Sequence, residues 1–171
     1  LSNLGLIFNQ LGENEKAKIY FEKAIITNAN YSDPHNNLGI IFQDLGENKK
    51  AKDCYEKAIE INPRDAHSHN NLGTLFADLD KLQKAKDYFE KAIEIEPNFD
   101  DAHNNLGNLF KKIDEPKKAL DCYKKAIEIN PDNAKVHYNL GIIFSDLGEL
   151  QEAKNCYEKA IEINPNYADA Y

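Results

Sequence analysis

The chain has 171 residues, 42% of them hydrophobic, with 8 glycines, 6 prolines and neither tryptophan nor methionine, the composition of a helical chain rather than a fibrous or disordered one. A formal net charge of −8, with a single arginine, Arg64, among 21 basic side chains, argues against nucleic acid and other polyanions, whose binding relies on clustered Lys and Arg releasing counterions; neutral or basic partners are easier to accept. Three cysteines with no CxxC spacing exclude a disulfide framework and a zinc site and fit a cytoplasmic setting, and no apolar run approaches the roughly 20 residues of a membrane span.

In chain order the residues fall into copies of one 34-residue unit. The first copy occupies about residues 1–31 and opens inside a repeat; the others are expected at 32–65, 66–99, 100–133 and 134–167, with a sixth helix pair starting at 168–171. The absence of an initiator Met, signal peptide or helix cap at Leu1, and the stop at Tyr171, read as an excised fragment. Asn-Leu-Gly recurs at residues 3–5, 37–39, 71–73, 105–107 and 139–141, and Phe8, Phe42, Phe76, Phe110 and Phe144 keep the same step. So do Ala17, Ala51, Ala85, Ala119 and Ala153, and Ala24, Ala58, Ala92, Ala126 and Ala160.

Each unit carries helical spacing twice. His35, Leu38, Gly39, Phe42 and Leu45 follow one apolar stripe, and Ala51, Cys54, Tyr55, Ala58 and Ile59 follow a second. Gly12, Gly46 and Gly148 supply a left-handed residue that ends a first helix, with Asp80 and Asp114 in that place in the other two units. Pro63, Pro97, Pro131 and Pro165 end the second helices. Gly39 and Ala51 sit where a bulky side chain would hold the two helices apart, and Ala58 lets the next unit approach. No pair buries its faces alone, so stacked neighbours must supply the stability.

The Leu-Gly pair, the Phe and Ala columns, the aromatics Phe21, Tyr55, Phe89, Tyr123 and Tyr157 and the closing prolines resemble the tetratricopeptide repeat family over the whole chain. Two columns depart from that family: His35, His69, His103 and His137 stand where it often has Trp, and Ala29 replaces the first closing Pro. The resemblance implies an all-α, right-handed superhelical solenoid of antiparallel helix pairs, with first helices lining a concave groove that holds partner peptides. It implies no enzyme activity and no cofactor. The family's chaperone-binding members use a Lys, Asn and Arg carboxylate clamp; this groove has no Arg, and Asn36, Asn70 or Asn104 replaces the opening Lys.

The outward positions of the first helices carry an invariant row, Asn3, Asn37, Asn71, Asn105 and Asn139, while the column three residues on varies through Leu6, Ile40, Thr74, Asn108 and Ile142. A carboxamide both donates and accepts, so such a row suits the backbone of an extended peptide whatever its side chains. The row is similar to the asparagine ladder in the tetratricopeptide region of O-linked N-acetylglucosamine transferases. Two other origins fit it equally in kind: bonds from each Asn to a neighbouring helix, or survival from duplication. Beside it run Asn36, Asn70 and Asn104, with Tyr138 as the fifth member, whose ring suits a ligand side chain or plain exposure. Lys111, Lys112 and Lys135 suit an acidic side chain or a C-terminal carboxylate, or stand as solvated charge.

The four-histidine column reads as a packing position, because helices about 8–10 Å apart cannot bring successive members onto one ion. No Gly-rich phosphate loop, nucleophile elbow or HExxH occurs. The reading is a scaffold that binds protein or an extended peptide segment, with no nucleic acid and no membrane insertion. Two other roles use the same surfaces: the substrate-recruiting arm of a larger enzyme such as a glycosyltransferase, and end-to-end self-association of the fragment.

Overall fold

The structure, a computed structural model, describes residues 1–166. The helices are α1 (Ser2–Gln10), α2 (Asn14–Thr27), α3 (Ser32–Asp44), α4 (Asn48–Ile61), α5 (Ala66–Asp78), α6 (Leu82–Ile95), α7 (Asp100–Lys112), α8 (Pro116–Ile129), α9 (Ala134–Asp146) and α10 (Leu150–Ile163), with no strand among the described residues. The chain divides into two compact units, Leu1–Ile95 with α1 to α6 and Glu96–Tyr171 with α7 to α10. The sixth pair expected at 168–171 lies outside the described residues.

The all-α architecture read from the periodicity is the one found. Second helices start at residues 14, 48, 82, 116 and 150, and the first helices after α1 at 32, 66, 100 and 134. Within the first unit α1 packs on α2, α3 on α4 and α5 on α6, and the pairs join through α2 against α3 and α4 against α5. Within the second, α7 packs on α8, α9 on α10, and α8 on α9.

Local chemistry sets where each helix stops. At the end of α3 the Gly46 N–H reaches the Gln43 carbonyl at 2.9 Å and the Glu47 N–H reaches the Phe42 carbonyl at 2.8 Å, the paired bonds that close a helix over a left-handed residue. Gly46 takes φ 74°, and Asp80 and Asp114 hold the equivalent turns at φ 57° and 59°. The sequence reading that let Asp stand in for Gly there therefore describes the backbone, since Asp tolerates this region better than most side chains. Next to these turns, lysines cap the aromatic column: Lys16 lies 5.3 Å from the Phe8 ring centroid, Lys50 5.2 Å from Phe42, Lys84 5.3 Å from Phe76 and Lys118 5.3 Å from Phe110. Lys16, Lys50 and Lys118 also pair with Glu13, Glu47 and Glu115, a combined attraction of modest size at the surface.

The interior is built on one contact. A methyl group added at Gly107 would lie 2.7 Å from the Tyr123 ring, and at Gly39 2.5 Å from the Tyr55 ring. The glycine lets one edge of the ring of the second helix lie against the backbone of the first, and both Tyr55 and Tyr123 are buried. The sequence pattern marked the glycine as a spacer; the ring that fills the space belongs to the same pair. Gly107→Ala is expected to lower the urea unfolding free energy by about 1–3 kcal/mol through overpacking, with helix content by circular dichroism unchanged in the folded baseline.

Candidate functional site

In the first unit the outward faces of α1, α3 and α5 enclose a cleft of about 430 Å³ lined by Leu6, Asp33, Asn36, Asn37, Ile40, Asp65, His67 and Asn71. Its lining combines two aliphatic side chains, Leu6 and Ile40, with two carboxylates, Asp33 and Asp65. Within it Asn71 donates from Nδ2 to Oδ1 of Asn36 at 2.9 Å. Among the described residues that bond leaves the Asn36 amide hydrogens and the Asn71 side-chain carbonyl unused, and the Asn37 side chain has no hydrogen-bond partner. Asp65 also works locally: its carboxylate caps α5 by accepting from the Ser68 N–H at 3.3 Å and the Ser68 hydroxyl at 2.5 Å. The Asp33 carboxylate, which accepts the Ser32 hydroxyl at 3.4 Å, is the chief cause that raises the pKa of the neighbouring Tyr31 phenol.

The second unit treats the same columns differently. Asn139 donates from Nδ2 to Asn104 Oδ1 at 3.0 Å and to Asn108 Oδ1 at 3.1 Å. The Tyr123 hydroxyl donates to the same Asn108 oxygen at 2.7 Å. Asn104 is 2% exposed and Asn139 8%, so these amides tie α7, α8 and α9 together from inside. Burial pushes the Tyr123 phenol well above its ordinary range, which keeps the hydroxyl a donor. Asn70 is likewise buried, at 6%, and Asn3 stands exposed on α1. Asn105 is half-buried on α7.

The remaining candidates are spread apart. Tyr138 is half-buried and tilts against Tyr157, ring centroids 5.8 Å apart. Lys111 and Lys112 occupy the last turn of α7, whereas Lys135 is in the first turn of α9. Both are first helices of successive hairpins and run in one direction, so Lys135 lies about 15 Å along the axis from the other two. The structure does not gather the three lysines around one carboxylate. Asp33 and Asp65 line the cleft although the sequence reading did not single them out, and Asp65 is recognisable first as a helix cap.

The histidine column has a shared partner. Nε2 of His69 lies 3.1 Å from the Pro63 carbonyl, that of His103 3.0 Å from Pro97 and that of His137 2.8 Å from Pro131. In these pairs the ring N–H donates to the carbonyl that closes the preceding repeat. Ala29 takes the proline's place before α3, and there the buried Nε2 of His35 has no partner. Among the described residues no three His, Cys, Asp or Glu side chains converge to hold a metal. Burial, and then Asp53, push the Cys54 thiol up to about 11, far from the thiolate a nucleophile needs. No helix among the described residues is long and apolar enough to cross a membrane.

Family models described as tetratricopeptide repeat match residues 1–30, 31–97, 100–133 and 134–167. The chain belongs to the tetratricopeptide repeat family. PilF of Pseudomonas aeruginosa superposes with a TM-score of 0.90 at 24% identity, over 99% of this chain and 77% of that one. A thermophilic tetratricopeptide protein of Thermus thermophilus gives a TM-score of 0.85 at 22% identity, over 99% and 92%. YrrB, described as having an unusual peptide-binding site, gives 0.70 at 24% identity, over 99% and 87%. No curated protein sequence matches the chain. Tetratricopeptide repeats generally serve as protein–protein interaction scaffolds, and the fold found here is theirs.

Two outcomes follow for the residues above. Asn139→Ala removes the donor from two amide oxygens and is expected to lower stability by about 1–3 kcal/mol in urea titration. For His35, burial and then the nearby Lys57 lower the pKa from 6.5. The folded chain binds fewer protons there than the unfolded one, so the stability held above that value is lost as pH falls through it. The melting temperature should drop between about pH 7.5 and about pH 5.5, and less steeply in His35→Phe.

Proposed function

We propose that the chain is a protein- and peptide-binding scaffold, and that the cleft of its first unit holds an extended, neutral-to-basic segment of a partner by its backbone. The observation that carries this reading is Asn37. It stands in the cleft with both amide functions unused among the described residues, beside the Asn36 donors and the Asn71 acceptor. An extended backbone presents alternating C=O and N–H groups, which a fixed set of carboxamides satisfies irrespective of side chain. The Asp33 and Asp65 carboxylates in the lining favour a lysine, arginine or amino terminus in the segment, and Leu6 and Ile40 give an aliphatic side chain an apolar contact. The peptide site described for YrrB is a precedent within the same fold.

The ladder is then divided in its work. Asn71 and Asn139 hold helices together while Asn37 meets the ligand, and Tyr138, Lys111, Lys112 and Lys135 offer contacts of their own within the second unit. A chain that delivers substrates to a catalytic domain elsewhere would use this cleft in the same manner.

Asn37→Ala is the informative variant, because it breaks no side-chain hydrogen bond among the described residues. Against an arrayed library of unstructured peptides read by fluorescence anisotropy, it should weaken the best basic binders about tenfold, the worth of one hydrogen-bonded pair. The melting temperature should stay where it is. Equal affinity in wild type and Asn37→Ala would overturn the backbone-reading role.

A further inference from the structure

The outer face of α2 differs in kind from that of every other second helix. Its stripe at spacing i, i+3, i+4, i+7 reads Ile19, Glu22, Lys23, Ile26. The same columns read Asp53, Glu56, Lys57, Glu60 in α4; Asp87, Glu90, Lys91, Glu94 in α6; Asp121, Lys124, Lys125, Glu128 in α8; and Asn155, Glu158, Lys159, Glu162 in α10. Two isoleucines therefore replace acidic or amide side chains, and they lie in water: Ile19 is 46% exposed and Ile26 84%.

This exposure does not come from the place of α2 in the array. Glu60 and Glu94, in the Ile26 column, keep 68% and 70% of their side-chain surface in water although other helix pairs precede them. The column faces solvent in every repeat. Leu4 and Ile7 on α1 are a different case, since the equivalent Leu38 and Ile41 are buried.

The charges between the isoleucines are also less engaged than their counterparts in other repeats. In the other second helices the stripe lysine bonds the glutamate three residues on: Lys57 to Glu60 and Lys91 to Glu94 at 2.9 Å, Lys125 to Glu128 and Lys159 to Glu162 at 3.0 Å. Ile26 removes that partner, and Lys23 leans over the Tyr20 ring at 5.5 Å. Glu22 forms no ion pair among the described residues, whereas its counterparts Glu56 and Glu90 pair with Lys52 and Lys86.

The pattern is complementary to itself. An antiparallel copy of α2 crossing midway between Glu22 and Lys23 sets Ile19 against the copy's Ile26, and Glu22 against the copy's Lys23, twice over by symmetry. No other second helix sets apolar side chains against each other in this way; in α10 the pairing opposes Asn155 to Glu162 and Glu158 to Lys159. In α4 and α6 the equivalent pairing would oppose Asp53 to Glu60 and Asp87 to Glu94; in α8 it would oppose Asp121 to Glu128 and Lys124 to Lys125. We propose that α2 is a homodimerisation helix, and that its occupant is the α2 of a second copy of this chain related by a two-fold axis. One helix pair buries less area than a standard interface, so the association is weak, of micromolar strength or looser. Its surface shares no helix with the peptide cleft, and the two sites are free at the same time.

Sedimentation velocity of the chain over a concentration series tests this directly. The wild type should shift from monomer towards dimer as concentration rises. Ile19→Asp with Ile26→Glu installs the residues that other repeats carry in these columns, so the fold and melting temperature should hold while the dimer disappears. Glu22→Lys alone and Lys23→Glu alone should each weaken association, and the two together should restore it by exchanging the partners. A wild type that stays monomeric throughout, which is also what a surface made for a different protein or a lipid would give, overturns the proposal. So does a dimer that survives the double isoleucine variant, or a charge exchange that restores nothing.

Discussion

A bare α-carbon on one helix facing an aromatic ring on the next is the contact on which the rest of this protein depends. At Gly39 and Gly107 the ring of Tyr55 or Tyr123 lies where the first side-chain carbon of any other residue would be. That contact sets the separation of the two helices in a pair. Once it is set, Ala51, Ala58, Ala119 and Ala126 are the residues that fit between neighbours, and all four are fully buried. The phenol at the far end of each ring then needs a partner, and finds one on its companion helix: Gln43 at 2.9 Å from Tyr55, Asn108 at 2.7 Å from Tyr123. Close approach, small-residue columns and a first buried polar link are thus successive consequences of one absent side chain.

The fold was legible because its determinants are local and repeated. Helix starts follow a fixed step, and the turns are written in Gly46, Asp80 and Asp114, whose backbones take the left-handed conformation those positions require. The site was legible only as a face. Periodicity places Asn71 and Asn139 outward, but it does not say which of two adjacent helices a carboxamide meets. The bonds run from one column to the other at an offset of 35 residues, one more than the repeat, so no single column contains both partners. Lys135 looks adjacent to Lys111 and Lys112 when the sequence is read with the hairpin removed; helix direction separates them. Asp65 was obscured for the opposite reason, since its role as a cap accounts for the residue before its position in the cleft lining is considered.

The chain's negative charge is distributed with a purpose that its total conceals. Along α4 and α6 the exposed columns alternate acid and base within each helix, and their ion pairs close locally; such faces are solvated and repel copies of themselves. The carboxylates of Asp33 and Asp65 instead line a cleft together with Leu6 and Ile40, where charges of one sign draw a cation in. The α2 stripe has shed its terminal acids altogether. Charge thus gives each surface its own selectivity: indifferent, attractive to cations, or attractive to itself.

The amide bonds between the two asparagine columns have one more consequence. Leucine and isoleucine surfaces are nearly uniform along a helix, and α9 could slide past α7 by one turn, about 5.4 Å, and still find hydrocarbon everywhere. The bonds from Asn139 to Asn104 and Asn108 exist at one displacement only. Moving off it would strand buried amides in a medium that cannot solvate them. The asparagines act as indexing pins in a stack that hydrocarbon alone would leave free to slip, and within each unit they fix one helix pair on the next at a single displacement.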